Sequence, residues 1–258
     1  MSFDHLPEEL INIISDNTSG SCELLDKILH YLRNNHDKIN PKLISSLQKH
    51  FHDFQTIQNF LANLGAAYQE NSIKEFLNKY DNDILFHNIY RNFKPLISDL
   101  YSFITISNSK TILEILKLTA SEKESIEVIV SEGRPILEGR ILAENLSSPK
   151  IKTTLITEAQ IYNAVQNVDC GIIGADKIIK NGKVINKVGS NLLALACKEF
   201  CKPFYVIADK TKFSKNNLID NDEKPSKEIY SGSENKIKIN NYYFEEIPNE
   251  FITKIITD

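Results

Sequence analysis

Short apolar segments alternate with amphipathic helix patterns through the second half of this chain, and this alternation constrains the fold more than any other feature. Each apolar segment has the length of a buried strand and is bounded by turn-forming residues. Strands and helices alternating at this spacing form βαβ units, so the sequence predicts an α/β fold with a parallel sheet and helices on both faces. The predicted strands are Tyr101–Ile106, Ile126–Val130, Thr153–Thr157, Cys170–Gly174, Phe204–Ala208 and Tyr242–Phe244. The predicted helices are Lys110–Leu118, Ile136–Leu146, Ala159–Val165 and Asn191–Phe200.

The first half, to about residue 95, has the apolar periodicity of helices and few β-branched runs. Asn17–Ser21 is rich in capping residues and precedes one of the stripes, and Pro95 marks a break or a helix start. The sequence therefore predicts a helical domain over residues 1–96 and an α/β domain over residues 97–258. The apolar stripes run through Leu6–Ile14, Leu24–Leu32, Leu43–Leu47, Ile57–Leu64 and Ile73–Tyr80, and residues 83–100 continue the pattern.

Charge and hydrophobicity limit the classes of partner. With 258 residues, of which 41% are hydrophobic, the chain can bury one or two cores. The formal net charge is −4 and there is no basic block, which argues against direct nucleic-acid binding, because phosphate backbones are bound by basic faces. No apolar run reaches the roughly 18 residues of a transmembrane helix. The first residues lack the features of a signal peptide.

Neither the cysteines nor the histidines show the spacing of a metal site. The six histidines lie in the first half without paired-ligand spacing, and the chain has no GxGxxG, Walker, GxSxG or HExxH motif. We therefore expect no metal ion, no cofactor, and a reducing, cytoplasmic location. The four cysteines, which form neither a zinc pattern nor a CxxC pair, are Cys22, Cys170, Cys197 and Cys201.

Polar and charged residues follow each predicted strand. The carboxyl ends of parallel strands meet at one edge of a sheet, where α/β proteins bind ligands. Convergence of Arg134, Lys187 and Lys212 there would make a site for a phosphorylated small molecule, since both residue types bind phosphate. Helix starts near Ser109 and Ser190 would add backbone N–H donors. The residues after the strands are Ser107–Lys110, Ser131–Pro135, Glu158, Asp176 with Asn186 and Lys187, and Asp209–Lys212.

Asp176 is the natural acid–base group of such a site, because it directly follows the fourth predicted strand. A carboxylate beside a bound anion has a raised pKa, which suits proton transfer. A structural interpretation of its neighbours stays open. Ser109 and Ser190 are also ordinary helix N-caps. Glu158 suits a helix N-terminus, and Lys212 by itself would be a solvated charge.

Several ordered motifs resemble those of one protein family. Residues 131–140 read SEGRPILEGR, residues 174–190 read GADKIIKNGKVINKVGS, and residues 202–206 and 212–213 continue the match. These motifs resemble the family of the α, β and δ regulatory subunits of translation initiation factor 2B, the methylthioribose-1-phosphate isomerases and the ribose-1,5-bisphosphate isomerases. The resemblance is ordered over about residues 101–213. In the first half it rests on Asn17–Ser21, where Ser19 and Gly20 match a substrate loop.

The resemblance implies a helical N-terminal domain, a Rossmann-like C-terminal domain, a sugar-phosphate pocket between them, and a homodimer formed through the C-terminal half. In the isomerases, an aspartate and a cysteine act together on an aldose 1-phosphate. Asp176 matches that aspartate. Asn186, Lys187 and Lys212 match substrate-binding residues.

Ser107 stands where the isomerases have their cysteine, and the helical half lacks an arginine that they carry. A serine hydroxyl is a weaker acid and nucleophile than a thiol unless a base lies beside it. Serine is typical of the regulatory subunits, which favours a protein that binds a phosphorylated sugar or nucleotide and associates with related subunits. Asp176 is the isomerase-like form of its motif, which favours an aldose–ketose isomerase in which Asp176 and Ser107 take part. A structural subunit without a ligand is the third hypothesis.

Overall fold

The computed structural model describes residues 6–80, 83–180, 182–214, 222–232 and 237–258. Its α-helices are α1 (Glu8–Ile14), α2 (Ser21–Asn34), α3 (Pro41–His50), α4 (Gln55–Gln69), α5 (Ile73–Lys79), α6 (Asp83–Phe93), α7 (Lys110–Glu122), α8 (Gly139–Leu146), α9 (Ile161–Val165) and α10 (Ser190–Glu199). Its strands are β1 (Ser102–Ile106), β2 (Ile126–Ser131), β3 (Ile151–Ile156), β4 (Cys170–Ile173), β5 (Lys177–Ile178), β6 (Val184–Lys187), β7 (Phe204–Ile207), β8 (Phe244–Ile247) and β9 (Lys254–Ile256).

Six strands form one wholly parallel sheet in the order β3-β2-β1-β4-β7-β9. The register places Phe103 of β1 opposite Val128 of β2 on one side and Cys170 of β4 on the other. The chain winds outward in both directions from β1 and β4, as in doubly wound nucleotide-binding folds. The predicted α/β fold with a parallel sheet is confirmed.

Helices cover both faces of this sheet, as predicted. On one face α7 and α8 bury residues such as Ile115 and Leu142 against the strands, together with α6. On the other face α9 and α10 bury Ile161 and Leu193. The apolar stripes of α1–α5 meet in a core of their own. The division of the chain at residue 96 stays a prediction.

Several elements differ from the predicted ones, and strands β5 and β6 were not predicted. The strand predicted at Tyr242–Phe244 begins only at Phe244, as β8, and pairs antiparallel with β6 in a second sheet of order β5-β6-β8. Strand β9 at the edge of the main sheet was not predicted, because three residues give no readable periodicity. Helix α8 begins at Gly139 and not at Ile136, because the preceding residues form turns in which Leu137 has a φ of 62°.

The polar composition of residues 214–237 predicts a long surface loop. The structure describes this stretch only in part, and 215–221 and 233–236 lie outside the described ranges. The described part contains one short 3-10 turn, Ser226–Glu228. Asn241 Nδ2 donates to Glu228 Oε2 at 2.7 Å, which ties this segment to the residues before β8. Of the helices in the described ranges, none has both the length and the apolar character needed to cross a bilayer.

Candidate functional site

A pocket lies where the carboxyl ends of β1 and β4 meet the first turns of α2 and α7. The cavity between these elements is small, about 30 Å³. The winding of the sheet reverses between β1 and β4, so the pocket occupies the crevice in which doubly wound proteins bind ligands. Its lining consists of residues 20–22, Phe54, residues 106–111, residues 174–176, Asn186, Lys187 and Lys212.

The Asp176 carboxyl is almost fully enclosed. The residue follows β4, its backbone N–H donates to the Ile185 carbonyl at 2.9 Å, and it is 7% exposed. Burial raises the pKa of Asp176, and the ammonium groups of Lys212 and Lys187 offset part of that rise. A carboxyl whose pKa is displaced toward neutrality can both hold and release a proton, as a general acid–base residue must.

Lys212 is a buried cation. It ends the short 3-10 turn after β7, is 3% exposed, and donates a hydrogen bond from Nζ to Ser21 Oγ. Burial alone lowers the pKa of an ammonium group, but the carboxylates of Asp176 and Asp209 raise the pKa of Lys212 above its ordinary value. Burial raises the pKa of the Cys22 thiol, so this neighbouring group stays neutral.

Lys187 brings a second ammonium group to the pocket from the end of β6. Its Nζ lies 4.5 Å from the centre of the Tyr243 ring and 5.3 Å from that of Phe244. It is also 3.8 Å from Glu138 Oε1. Aromatic faces attract a cation, so the two rings hold the Lys187 ammonium group at the pocket.

Ser107 lines the same pocket at the end of β1. Its hydroxyl donates to Glu138 Oε1 at 3.0 Å, and its backbone φ is 69°, a region that non-glycine residues seldom occupy. Glu138 is 3% exposed, and burial raises the pKa of its carboxyl. Glu138 Oε2 has no hydrogen-bond partner among the residues the structure describes. Backbone strain of this kind is held by the surrounding structure and concentrates at functional sites.

Two helix N-termini face the pocket. Helix α7 is capped by Ser109, whose Oγ accepts from the Ile112 N–H at 3.3 Å. Helix α2 follows Gly20, which offers no side-chain cap, so its first N–H groups have no such partner. A Cβ on Gly20 would lie 2.7 Å from the Asn108 carbonyl oxygen, so only glycine allows the two helix starts to approach this closely. Unpartnered N–H groups at a helix start bind phosphate oxygens.

The structure brings six of the eight predicted site residues into the pocket lining: Gly20, Ser107, Asp176, Asn186, Lys187 and Lys212. Asn186 Nδ2 donates to Ser190 Oγ at 2.9 Å, which holds the amide at the start of α10. The other two, Ser19 and Arg134, do not line it. Ser19 is buried one residue before the lining and accepts from Lys27 Nζ at 2.8 Å, and Arg134 is exposed.

Two residues of the site were missed. Ser21 is the partner of Lys212, but in the sequence it reads as an ordinary helix start. Glu138 lies within the SEGRPILEGR motif, yet its contact with Ser107 joins residues 31 apart in the chain. No local pattern predicts either contact, because each depends on how separate elements meet in the folded chain.

Comparison with known proteins gives a family and two kinds of relative. The model of the initiation factor 2 subunit family matches residues 25–258. The ribose 1,5-bisphosphate isomerase of Archaeoglobus fulgidus is 34% identical over 168 residues, which are 63% of this chain and 54% of that protein. A second relative, from Pyrococcus horikoshii, is described as similar to subunit 2 of translation initiation factor eIF-2B. It is 36% identical over 163 residues, which are 63% of this chain and 58% of that protein. The chain thus spans little more than half the length of these curated relatives.

Solved structures match over nearly the whole chain. The crystal structure of the Pyrococcus horikoshii translation initiation factor eIF-2B has a TM-score of 0.79 and 25% identity, covering 98% of this chain and 96% of that one. The tetrameric eIF2B β2δ2 complex of Chaetomium thermophilum matches with a TM-score of 0.78 and 17% identity, covering 98% and 91%. The second likeness, at that identity, shows the fold alone.

Proposed function

The chain belongs to the initiation factor 2 subunit family, and on that premise we propose that its pocket binds a phosphorylated sugar or nucleotide. The observation that carries the proposal is the meeting of two ammonium groups with two helix N-termini in one crevice. Lys212 is buried and charged, and Lys187 is held by aromatic faces. A compact, strongly anionic group is the ligand that matches these donors.

Phosphate oxygens would meet the first turns of α2 and α7, and the rest of the ligand would lie toward Ser107 and Asp176. The isomerase relative is named for a phosphorylated sugar, which supports a sugar phosphate as the first ligand to test. The chain is proposed to act as a regulatory subunit that associates with itself or with related subunits, as the name of the second relative suggests.

A second candidate function is aldose–ketose isomerisation of a sugar 1-phosphate. Asp176 favours it, because a carboxylate in the pocket repels an anionic ligand and so is not what phosphate binding alone requires. With a raised pKa the same carboxyl can carry a proton to and from the sugar.

Phosphorus and proton NMR of the purified protein with ribose 1,5-bisphosphate and with methylthioribose 1-phosphate separate these functions. Broadening of the phosphorus signals without conversion supports the binding protein. A ketose signal that disappears with Asp176→Asn supports the isomerase. Sharp, unchanged signals together with an unchanged unfolding temperature would contradict both, because a ligand that binds the native state stabilises it.

A further inference from the structure

A second carboxyl, that of Glu138, contacts two residues of the pocket lining, Ser107 and Lys187. Glu138 does not line the pocket, but its Oε1 accepts the Ser107 hydroxyl at 3.0 Å, and Ser107 does line it. The other oxygen, Oε2, is buried without a hydrogen-bond partner among the described residues. A Cβ on Gly133 would lie 2.9 Å from Oε2, so glycine leaves the space that this oxygen occupies.

The pair is held rigidly. The backbone of Ser107 has a φ of 69°, which directs its side chain differently from an ordinary strand residue. Glu138 immediately precedes α8, so its backbone is anchored by the helix. Lys187 Nζ, 3.8 Å from Oε1, stabilises the ionised carboxylate, whereas burial favours the protonated form. The two influences oppose each other, and burial is the larger, so the pKa of Glu138 lies above its ordinary value.

We propose that Glu138 is a positioning residue that takes up and returns the proton of the Ser107 hydroxyl, so that Ser107 and Glu138 work as one proton relay facing Asp176 across the pocket. The inference rests on the isomerase form of the proposed function. Glu138 supplies the base that a serine needs in order to act in place of a thiol.

The chemistry balances with these groups alone. In converting an aldose 1-phosphate to a ketose 1-phosphate, the bond between C1 and the ring oxygen breaks and that oxygen gains a proton. C2 loses its hydrogen as a proton, the C2 hydroxyl loses its proton as the carbonyl forms, and C1 gains a proton. Two protons enter the sugar and two leave it, so no oxidant or reductant is consumed. Asp176 and the Ser107–Glu138 relay each give one proton and take one.

Glu138 could instead have a purely structural role, that of holding Ser107 in place. A double-mutant cycle distinguishes this role from the proton relay, because the two roles predict different kinetics. The variants are Glu138→Gln, Ser107→Cys and their combination, with turnover of ribose 1,5-bisphosphate followed by phosphorus NMR. We expect Glu138→Gln to lower kcat at least about 100-fold while KM changes less than about threefold. In the Ser107→Cys background we expect the loss to shrink below about tenfold, because a thiol with a pKa near 8.5 ionises without a carboxylate beside it.

Glu132→Gln is the matched control. Glu132 lies in the same loop, pairs with Arg140 at 2.6 Å, and does not line the pocket. It should leave kcat unchanged. Ser107→Ala is the second test if Glu138→Gln fails to fold. It should also lower kcat at least about 100-fold, because removing either residue breaks the same relay.

The outcomes are distinguishable. Equal losses from Glu138→Gln in the serine and cysteine backgrounds, or no loss in either, would overturn the relay while leaving the isomerase function standing. Broadening of the substrate signals by the natural protein without conversion would overturn the relay and leave only the binding function. Absence of both broadening and conversion would contradict the proposed function itself.

Discussion

Among single residues, Lys212 and Lys187 bring positive charge to the site, and their surroundings differ. Lys212 is buried, donates to Ser21 and is influenced by the charge of Asp176, and Lys187 lies over two aromatic rings. A buried ammonium group carries a desolvation cost that its carboxylate partner only partly offsets. A ligand phosphate would complete that compensation, which makes Lys212 the residue whose removal should affect binding most.

Lys212→Met should weaken binding of a sugar-phosphate probe at least about tenfold, or about 1.4 kcal/mol. The methionine keeps the length of the side chain and removes the charge. Isothermal titration calorimetry with ribose 1,5-bisphosphate measures the change. Lys210→Met, in the same turn but exposed and 3.6 Å from Asp258, is the control and should bind as the natural protein does. Equal losses in both variants would mean that the site lies elsewhere.

Glu138 should leave a signature in the pH dependence of stability. Burial raises the pKa of this carboxyl above its ordinary value of 4.5, so the native state holds the proton more tightly than the unfolded chain does. Its contribution is therefore present below pH 4.5 and is lost as pH rises through the higher native pKa. Urea unfolding from pH 4 to pH 8 should show a smaller decline for Glu138→Gln than for the natural protein. Parallel curves would show that the carboxyl is not perturbed.

At the scale of elements, the pocket depends on the close approach of α2 and α7. Gly20 and Asn108 meet at the point where the two helix starts converge, and the strand order brings Ser107 and Asp176 to the same edge. Two elements far apart in sequence therefore present their N–H groups to one volume of space.

Gly20→Ala should push these elements apart. The added Cβ would lie 2.7 Å from the Asn108 carbonyl oxygen, which is backbone and cannot move aside cheaply. We expect a loss of about 1–3 kcal/mol in unfolding free energy, with weaker probe binding. Gly65→Ala, within α4 and with nothing inside 4 Å of the added Cβ, should instead stabilise the protein by about 0.5–1 kcal/mol. Chemical unfolding of both variants tests the pair, and the same sign for both would contradict the argument.

Long elements could be predicted from the sequence, whereas short strands and tertiary contacts could not. The long amphipathic helices and the five apolar strands of the main sheet could be predicted, because burial on one or both faces leaves a period in the sequence. Strands β5, β6 and β9 could not: β5 and β9 have only two or three residues, and β6 has two apolar residues, so none shows a readable period. The motif after β4 predicted Asp176 and Lys187 as site residues, and both line the pocket. The contacts of Ser21 and Glu138 arise only from tertiary packing, so no local signal carries them.

At the scale of the whole molecule, the helical core and the sheet meet around the pocket. Asn59 Nδ2 donates to the Thr211 carbonyl at 2.6 Å, and Asn17 Nδ2 donates to the Tyr243 hydroxyl at 3.3 Å. The Lys212 contact with Ser21 joins the same two parts. A ligand in this position would add further links between them.

The homodimer implied by the family resemblance stays a prediction, and α10 is where we expect the contact. Leu195 on this helix is 49% exposed, and so is much of Leu192 on the same helix. Tyr162 is exposed on α9, which packs against α10. Leu195→Glu should convert a dimer into a species of 29.4 kDa in sedimentation velocity. Leu155→Glu, at an equally exposed position on β3, should remain dimeric. A monomeric natural protein, or a dimer unaffected by Leu195→Glu, would contradict this assignment.

The pocket lining carries three ammonium groups, of which Lys110 is paired with Asp26, and two carboxyls, those of Asp176 and Glu138, lie near the other two. A phosphate monoester would bring up to two uncompensated negative charges to Asp176 and Glu138, whose pKa values are already raised. Each carboxyl would then bind protons from solution as the ligand enters. Ligand capture by this protein would therefore consume hydrogen ions, and its measured heat would vary with the ionisation enthalpy of the buffer.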